Sequence, residues 1–388
     1  MVYANAGLFC DGYILSSVGL ALVTLQPRFG LSPAMTGLLG AATLLGILVG
    51  APLIGRVTDR YGRRTVMIAD LAVFVVASLA QIFANDVWTL IALRFVLGFA
   101  IGADYPIAGA LIAEFAPPRL RGAAVNTMQV AWFFGAAVAY IAGYALLRTG
   151  PQSWKWILAS PALFAAIGLA LRASAPETPM WLAARERGDV LRASFATIVQ
   201  PRYLGSLTFV AVMWLLQVVP LFAIYTFAPA VLSALGLGDQ SSPVGSVAIT
   251  IAFLLGSIAS LPLVERWGRR PLCIAGFAVA AVAFGLLLTG VTGIAVMSFV
   301  AYAVSIGAAA GLELLYPAEL FPTAIRATAT GVAAGVSRIG AFIGTFALPL
   351  ALARYGITSI LIAALLLSLA GLAVALRWAP ETKGTMIT

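Results

Sequence analysis

Stretches of about twenty apolar residues, separated by short polar breaks, recur along the whole chain. A helix of this length crosses the hydrocarbon core of a bilayer. Because lipid offers no water to backbone amides and carbonyls, the spanning segments are predicted to be α-helices. We predict twelve of them, at 6–25, 34–55, 65–84, 89–114, 122–147, 156–172, 204–235, 244–264, 271–290, 292–316, 327–353 and 358–376.

The composition supports a membrane protein. The chain is 62% hydrophobic and 10% charged, whereas an ordinary soluble domain is roughly a quarter charged. The first predicted span begins almost at Met1, which leaves room for a longer natural N terminus. A net charge of +9 indicates nucleic-acid binding only when it forms a basic patch on a soluble face. We therefore expect a lipid bilayer around the chain and no nucleic-acid partner.

The basic residues follow the positive-inside rule. If the chain starts inside and alternates, seventeen basic residues lie on the inner side and four on the outer side. The inner set is Arg56, Arg60, Arg63, Arg64, Arg119, Arg121, Arg172, Arg185, Arg187, Arg192, Arg202, Arg266, Arg269, Arg270, Arg326, Arg377 and Lys383, and the outer set is Arg28, Arg148, Lys155 and Arg354. This asymmetry predicts that both termini and the central linker are cytoplasmic, in an inner or plasma membrane.

Three polar strings recur at nearly one spacing. Residues 59–64 return at 265–270, Glu114 with Arg121 returns as Glu319 with Arg326, and 176–178 return at 380–382, at offsets of 206, 205 and 204. Such recurrence predicts a duplicated six-helix unit. We predict an N-terminal bundle at 1–172, a cytoplasmic linker at 173–203 and a C-terminal bundle at 204–388. The two bundles would be related by an axis along the membrane normal, with a solute site between them.

These strings resemble those of the major facilitator superfamily over essentially the whole chain. Residues 55–64 resemble its loop motif between the second and third helices. The glutamate and arginine pairs after helices four and ten, with the strings at 176–179 and 380–384, resemble its sugar porter branch. The resemblance implies an all-α membrane protein with the major facilitator fold, twelve transmembrane helices in two six-helix bundles. It also implies a monomeric transporter of a small molecule.

The recurring loop charges suit a cytoplasmic gate, in which arginine forks pair with glutamates and must separate before that face opens. The alternative is that the arginines only fix the topology. The candidate gate residues are Asp59, Arg60, Arg63, Arg64, Glu114, Arg121, Glu177, Glu265, Arg266, Arg269, Glu319, Arg326 and Glu381.

Ionisable residues inside a predicted span are costly, so each is a functional candidate. They are Asp11, Asp70, Arg94, Asp104, Glu313 and Arg338. The chain has no histidine, so a proton relay would have to use carboxylates. Asp70, near the inner end of helix three, is expected to link to the gate.

Asp11 and Arg94 are the pair favoured for proton coupling. In proton-linked sugar porters an aspartate on helix one works with an arginine at the start of helix four, which Arg94 matches. The usual aspartate position holds Ile14, and Asp11 lies one turn earlier, as in phosphate and aromatic-acid proton symporters. The alternative is a static Asp11–Arg94 ion pair. Asp104, in a string at 102–106 that resembles phosphate symporters, is the other candidate proton carrier.

Substrate contacts are expected from several helices. Arg338 lies in a string at 337–340 that resembles helix eleven of aromatic-acid symporters, and its guanidinium could hold a substrate carboxylate. The alternative is that Glu313 neutralises it. Gln129 and Gln217 match sugar-binding glutamines of the family. The remaining substrate-contact candidates are Glu313, Trp132 and Tyr225.

Other positions of the sugar site have changed. Leu216, Phe222 and Leu314 stand where the family has glutamine, asparagine and tryptophan. A sugar needs many hydroxyl partners and a flat stacking surface. A small organic acid is therefore at least as well supported as a sugar.

The leading prediction is a proton-coupled symporter of a small polar metabolite that works by alternating access. A proton-coupled efflux antiporter is one alternative, although 135–140 on helix five lack the proline of that class. A sensor on the same scaffold is another. The sequence has no nucleophile and base constellation, metal cluster or nucleotide loop. We therefore expect no enzyme activity, no metal and no cofactor beyond the coupling proton.

Overall fold

The computed structural model describes residues 2–115, 121–173, 177, 198–236 and 244–384. Within this part of the chain the regular structure is helical throughout. The helices, which we number α1 to α12, are α1 Val2–Phe29, α2 Pro33–Tyr61, α3 Arg63–Ala80 with a short extension Gln81–Phe83, α4 Val87–Phe115, α5 Arg121–Leu147, α6 Ser153–Ala159 and Pro161–Ala173, α7 Pro201–Thr226 and Ala228–Ala234, α8 Val244–Arg266, α9 Arg269–Leu287, α10 Thr292–Ala310 and Leu312–Leu320, and α11 with α12, which together occupy Thr323–Trp378.

A single glycine separates α11 from α12. Gly356 has φ +72° and ψ −179°, inside an otherwise continuous helical run. Residues with a β-carbon rarely adopt this backbone conformation, so the glycine at this position permits the break in the helix. In the described residues, eleven helical runs are long and apolar enough to cross a membrane, and the last holds two such spans. The predicted all-α membrane fold with twelve spans is confirmed.

Within each half, a glycine allows the second and fourth helices to pack closely, and the contact is equivalent in the two halves. A β-carbon on Gly50 of α2 would lie 2.2 Å from the carbonyl oxygen of Phe99 on α4. On Gly256 of α8 it would lie 2.1 Å from the carbonyl oxygen of Val304 on α10. Gly256 follows Gly50 by 206 positions and Val304 follows Phe99 by 205, which are the offsets of the first two polar strings. Small residues at these crossings allow close backbone approach, so the duplication extends to the packing.

The two halves meet mainly where α2 packs on α11 and α5 packs on α8. We call the end of the bundle where α1 begins and α12 ends the terminal face, and the opposite end the distal face. The bounds of the two halves remain predictions, because most of the linker at 173–203 lies outside the described residues.

Candidate functional site

Arg338 occupies the centre of the molecule in a cage of aromatic rings. Its guanidinium carbon lies 5.0 Å from the ring centre of Tyr105 on α4, 5.1 Å from Phe222 and 5.7 Å from Trp214, both on α7. The side chain is 1% exposed. Aromatic faces attract a cation within about 6 Å. Helices of both halves therefore hold this charge between them.

Arg338 has no acidic partner within 4 Å among the described residues. The ion pairs formed there join Arg172 to Asp70 and Asp104, and Arg269 to Glu265 and Glu319. Glu313 is also buried, on α10, but it forms no ion pair with Arg338. The described part of the structure therefore shows no direct ion pair between Glu313 and Arg338. Aromatic contacts only partly replace a counter-charge.

Further polar groups around this centre are buried with unused hydrogen-bonding capacity. Gln217 Nε2 and Trp132 Nε1 have no hydrogen-bond partner in the described part of the structure, and neither does Arg338 Nε. Trp132 packs edge-on against Phe222, with ring centres 5.9 Å apart. Gln129, three residues earlier on α5, shares its face. Buried polar groups are normally satisfied, so these groups are candidates to bind a polar ligand.

A tyrosine layer lies between this centre and the distal face. The Tyr140 hydroxyl on α5 donates to the carbonyl oxygen of Tyr225 on α7 at 2.6 Å. The Ser16 hydroxyl on α1 donates to the Tyr225 hydroxyl at 3.2 Å. Tyr225, expected from sequence to contact substrate, thus bonds to two helices of the other half. The structure places it in a layer that closes the centre from this side.

Beyond this layer a cavity of about 210 Å³ lies at the distal face. Its lining includes Gly19 and Gln26 of α1, Thr36 of α2, Phe227 of α7 and Leu348 of α11. Leu348 follows Arg338 by ten residues, or about 15 Å of helix. The cavity is therefore a separate vestibule between the halves, on the axis that leads to Arg338.

Asp11 and Arg94 are not brought together as a pair. Arg94 Nη2 donates to the carbonyl oxygen of Ile14 at 3.1 Å, and no ion pair joins Arg94 to Asp11 among the described residues. Ile14 stands where the sugar porters carry the aspartate. The guanidinium of Arg94 therefore bonds to a backbone carbonyl at this position rather than to a carboxylate. Both oxygens of the buried Asp11 carboxylate have no hydrogen-bond partner in the described residues.

The partner of the buried carboxylates is Arg172, which sequence reasoning counted as an inner loop arginine. Arg172 is fully buried at the end of α6. It bonds to Asp70 on α3 at 3.1 Å and to Asp104 on α4 at 2.9 Å. The only available signal was its place as the last residue of predicted span six. Asp70 therefore lies in this cluster rather than in the gate.

The two charged sites are adjacent on α4. Asp104 bonds to Arg172, and the next residue, Tyr105, covers Arg338. Asp11 lies close enough to interact electrostatically with Asp104, Asp70, Arg172 and Arg338. Asp11 is therefore near both the carboxylate cluster, formed by Asp70, Asp104 and Arg172, and the aromatic cage.

The gate glutamates after each half accept hydrogen bonds from backbone amides. Glu177 accepts hydrogen bonds from the amides of Arg63 at 3.2 Å and Arg64 at 3.1 Å, at the start of α3. The guanidinium of Arg64 donates instead to the carbonyl oxygen of Ala173, at 2.8 Å. Anions are stabilised at helix N-termini by free amides and the helix dipole. Glu177 therefore caps the start of α3, a contact that the predicted arginine–glutamate pairing did not include.

The second half repeats this cap. Glu381 accepts from the amides of Arg269 at 3.0 Å and Arg270 at 3.2 Å, and from that of Lys383 at 2.9 Å. The guanidinium of Arg270 donates to the carbonyl oxygen of Leu376. Partial burial alone would raise the pKa of Glu381, but the amide hydrogen bonds outweigh it and hold the pKa below its ordinary value.

One arginine fork of the expected kind is present, in the second half. Arg269 bonds to Glu319 at 2.6 Å and to Glu265 at 3.1 Å. A β-carbon on Gly122, at the start of α5 in the first half, would lie 2.4 Å from a Glu265 oxygen. Nearby, Asn126 of α5 donates to Ser260 of α8 at 3.2 Å. The halves are thus in contact at the terminal face.

The remaining gate candidates are only partly placed. Arg266 accepts at its carbonyl from the Lys383 ammonium, and Arg326 Nε donates to the carbonyl oxygen of Phe321. The side chains of Asp59, Arg60, Glu114 and Arg121 lie outside the described part of the structure.

Comparison with known proteins gives a consistent result. Residues 5–345 match the family described as Major Facilitator Superfamily. The chain is 37% identical to the putative metabolite transport protein YaaU of Escherichia coli (strain K12), over 99% of this chain and 92% of that protein. It is 27% identical to the putative niacin/nicotinamide transporter NiaP of Bacillus subtilis (strain 168), over 88% and 85%.

The fold is similar to that of a solved structure. The proton:xylose symporter XylE, bound to 6-bromo-6-deoxy-D-glucose, superposes with a TM-score of 0.84 at 20% identity, over 100% of this chain and 96% of that one. At this identity the likeness is one of fold.

Proposed function

We propose that this chain, which belongs to the Major Facilitator Superfamily and is a membrane transporter rather than an enzyme, carries a small organic anion together with a proton. The observation that carries the proposal is Arg338. A buried guanidinium without an acidic partner, held between the two halves, is suited to a ligand that brings the missing negative charge.

The surroundings of Arg338 favour a planar carboxylate. A guanidinium binds a carboxylate through two parallel hydrogen bonds, and Arg338 Nε is available for such a bond. The rings of Tyr105, Trp214 and Phe222 offer apolar faces to a flat substituent. The relative NiaP is named for both niacin and nicotinamide, and niacin is an aromatic carboxylic acid. An aromatic or other compact monocarboxylate is the proposed substrate class.

Proton coupling is proposed to use Asp11. Its two carboxylate oxygens are buried without a hydrogen-bond partner in the described residues, whereas one Asp104 oxygen is bonded to Arg172. A buried carboxyl group with no hydrogen-bond or ion-pair partner is costly to ionise, which suits it to bind a proton. Asp11 also interacts with Arg338, so its charge and that of the substrate would influence each other. The fold relative XylE is named a proton symporter.

The cycle is proposed to be alternating access by a monomer. The tyrosine layer closes the distal side of the centre, and the contacts of Gly122 and Asn126 with the second half close the terminal side. The arginine-rich terminal face, with both termini, is proposed to be cytoplasmic. The vestibule at the distal face would then receive substrate from outside the cell.

Sugar transport is the second candidate. The unpartnered amide nitrogen of Gln217 and the buried Gln129 would suit hydroxyl groups, and XylE is named for xylose. A neutral sugar would leave Arg338 without a directly bonded carboxylate, which favours the anion.

A binding screen tests the substrate class. We expect nicotinate and benzoate to raise the melting temperature of the purified transporter, and nicotinamide, benzamide and xylose to have much smaller effects. Loss of a charge-assisted bidentate contact costs about 1.5–3 kcal/mol, so Arg338→Gln should bind the carboxylates roughly 10- to 100-fold more weakly. Isothermal titration calorimetry measures this change.

Arg354→Gln is the matched control. Arg354 also lies over an aromatic ring, that of Tyr355, but at the surface of the distal face, so its loss should leave affinity unchanged. Equal binding of nicotinate and nicotinamide, or undiminished carboxylate binding by Arg338→Gln, would show that the proposed clamp is wrong. Stabilisation by xylose alone would favour the sugar.

A further inference from the structure

Arg172 joins four helices of the first half at one guanidinium. Nη1 donates to Asp70 and to the carbonyl oxygen of Met67 on α3, and Nη2 donates to Asp104 on α4. Nε donates to the carbonyl oxygen of Tyr3 on α1, at 2.9 Å. With its own helix α6, the side chain fixes the relative positions of α1, α3 and α4.

The charges of this cluster do not balance when all its groups are ionised. Three buried carboxylates, those of Asp11, Asp70 and Asp104, interact with Arg172. Arg172 bonds to two of them, and both oxygens of Asp11 are left without a partner in the described residues. Like charges in a dry site cannot all persist. The least costly place for a proton is the carboxylate that has no other partner.

Helix α1 packs directly against Arg172 and Asp104. A β-carbon on Gly7 would lie 2.0 Å from Arg172 Nη2 and 2.1 Å from Asp104 Oδ2. Asp11 follows Gly7 by four residues and so lies on the same face of α1. In the described part of the chain, the other titratable or charged groups near Asp11 include the Cys10 thiol beside it, the Tyr105 hydroxyl of α4 and the guanidinium of Arg338 on α11. Arg94 of α4 contacts α1 one turn further on, at Ile14.

We propose that Arg172 is the positioning residue of the coupling proton: it holds Asp70 and Asp104 in place through hydrogen bonds, so that proton binding and release fall to Asp11. The inference rests on the proposed proton coupling and assigns its control to Arg172 rather than to Arg94. The proton binds Asp11 from water on one side of the membrane and leaves to water on the other. Arg172 itself stays protonated throughout.

The test uses no substrate, so its outcome is independent of the substrate class. Spin labels are placed at Thr149, after α5, and at Tyr355, before α12, both exposed at the distal face. The native cysteines are buried. Distances between the labels are measured by double electron–electron resonance in nanodiscs from pH 5 to pH 9. The pH midpoint of the change in the distance distribution reports the coupling proton.

We expect a single midpoint in the otherwise unmodified protein and no pH-dependent change in Asp11→Asn. Arg172→Gln removes the positive charge that is bonded to Asp70 and Asp104, so protons bind the carboxylate cluster more readily and the midpoint moves to higher pH by about one unit or more. Arg172→Lys keeps a charge but not the fork, so the shift should be smaller in the same direction. Arg28→Gln, an exposed arginine at the distal face, should leave the midpoint unchanged.

Three results would overturn the proposal. One is a distance distribution that does not change with pH in the unsubstituted protein. Another is a midpoint in folded Arg172→Lys and Arg172→Gln equal to that of the parent. The third is a shift caused by Arg94→Lys but by neither Arg172 variant, which would return coupling control to Arg94. If Arg172→Gln does not fold, Arg172→Lys, which retains the positive charge, still tests whether Arg172 controls the midpoint.

Discussion

At the scale of single residues, two neighbours on α4 serve different sites. Asp104 bonds to Arg172, while Tyr105 covers the guanidinium of Arg338. Successive residues of a helix point about 100° apart, so one short stretch of α4 faces both the carboxylate cluster and the aromatic cage. A small rotation of this stretch would change both sites together.

Gly7 allows α1 to lie against the cluster, which predicts an effect of the smallest possible substitution. Gly7→Ala places a methyl group 2.0 Å from Arg172 Nη2, so buried charged groups must move. Overpacking of this kind costs about 1–3 kcal/mol. We expect a lower melting temperature in Gly7→Ala, measured by thermal unfolding in detergent.

Gly285→Ala is the control for this substitution. Gly285 lies in α9 with no atom within 4 Å of an added β-carbon, and alanine is favoured over glycine in a helix by about 0.5–1 kcal/mol. Its melting temperature should stay level or rise. A similar response in both variants would contradict the close packing of α1 on Arg172.

Which buried charges exist could be predicted from sequence, but which of them pair could not. Asp11, Asp104 and Arg338 stand out because each interrupts an apolar span. Their partners depend on helix rotation and depth, which hydropathy does not report. Arg172 was missed because it ends a span, where an arginine normally reaches water.

At the scale of elements, the start of α9 depends on a carboxylate from the C-terminal segment. Glu381 accepts from the amides of Arg269 and Arg270. Loss of a helix cap costs about 1 kcal/mol, and in a protein of this size that lowers the melting temperature by about 1–2 °C. We therefore expect Glu381→Gln to melt slightly below the parent at pH 7.

The lowered pKa of Glu381 gives this effect a pH dependence. A carboxylate with a depressed pKa contributes stability that is present above the pKa of the unfolded chain, about 4.3. That stability is lost as pH falls through the folded pKa. The difference between Glu381→Gln and the parent should therefore be constant near pH 7, begin to shrink as the pH falls toward about 4.3, and disappear only below the lowered pKa of the folded state. A difference that persists in acid would show that the carboxylate charge is not responsible.

The helices and the positions of the loop motifs follow from sequence, because apolar length and repeated polar strings are local properties. Which atoms form the hydrogen bonds and ion pairs could not be predicted from sequence. The strings predicted contacts between arginine forks and glutamates, and Arg269 with Glu319 forms one. Glu177 also binds backbone amides, which nearly every residue possesses and no residue pattern reveals.

At the scale of the whole molecule, the halves approach most closely through glycines. At the distal face a β-carbon on Gly37 of α2 would lie 2.3 Å from the carbonyl oxygen of Phe346 on α11. Backbone cannot withdraw as a flexible side chain can, so Gly37→Ala should separate the halves there. We expect a longer distance between labels at Thr149 and Tyr355.

Gly50→Ala is the matched control, because its methyl group would meet the Phe99 carbonyl within the first half. It should lower stability without lengthening the distance between the halves. If both variants lengthen it, or neither does, the α2–α11 contact does not hold the distal face closed.

The helix caps also show how far the duplicated unit extends. Each glutamate lies beyond the sixth helix of its half, yet it bonds to the third helix of that same half. We infer that the duplicated unit includes this closing glutamate and does not end with its last apolar span. A boundary drawn through the gene between the halves belongs after Glu177, since a division at Ala173 would leave α3 without the residue that completes its first turn.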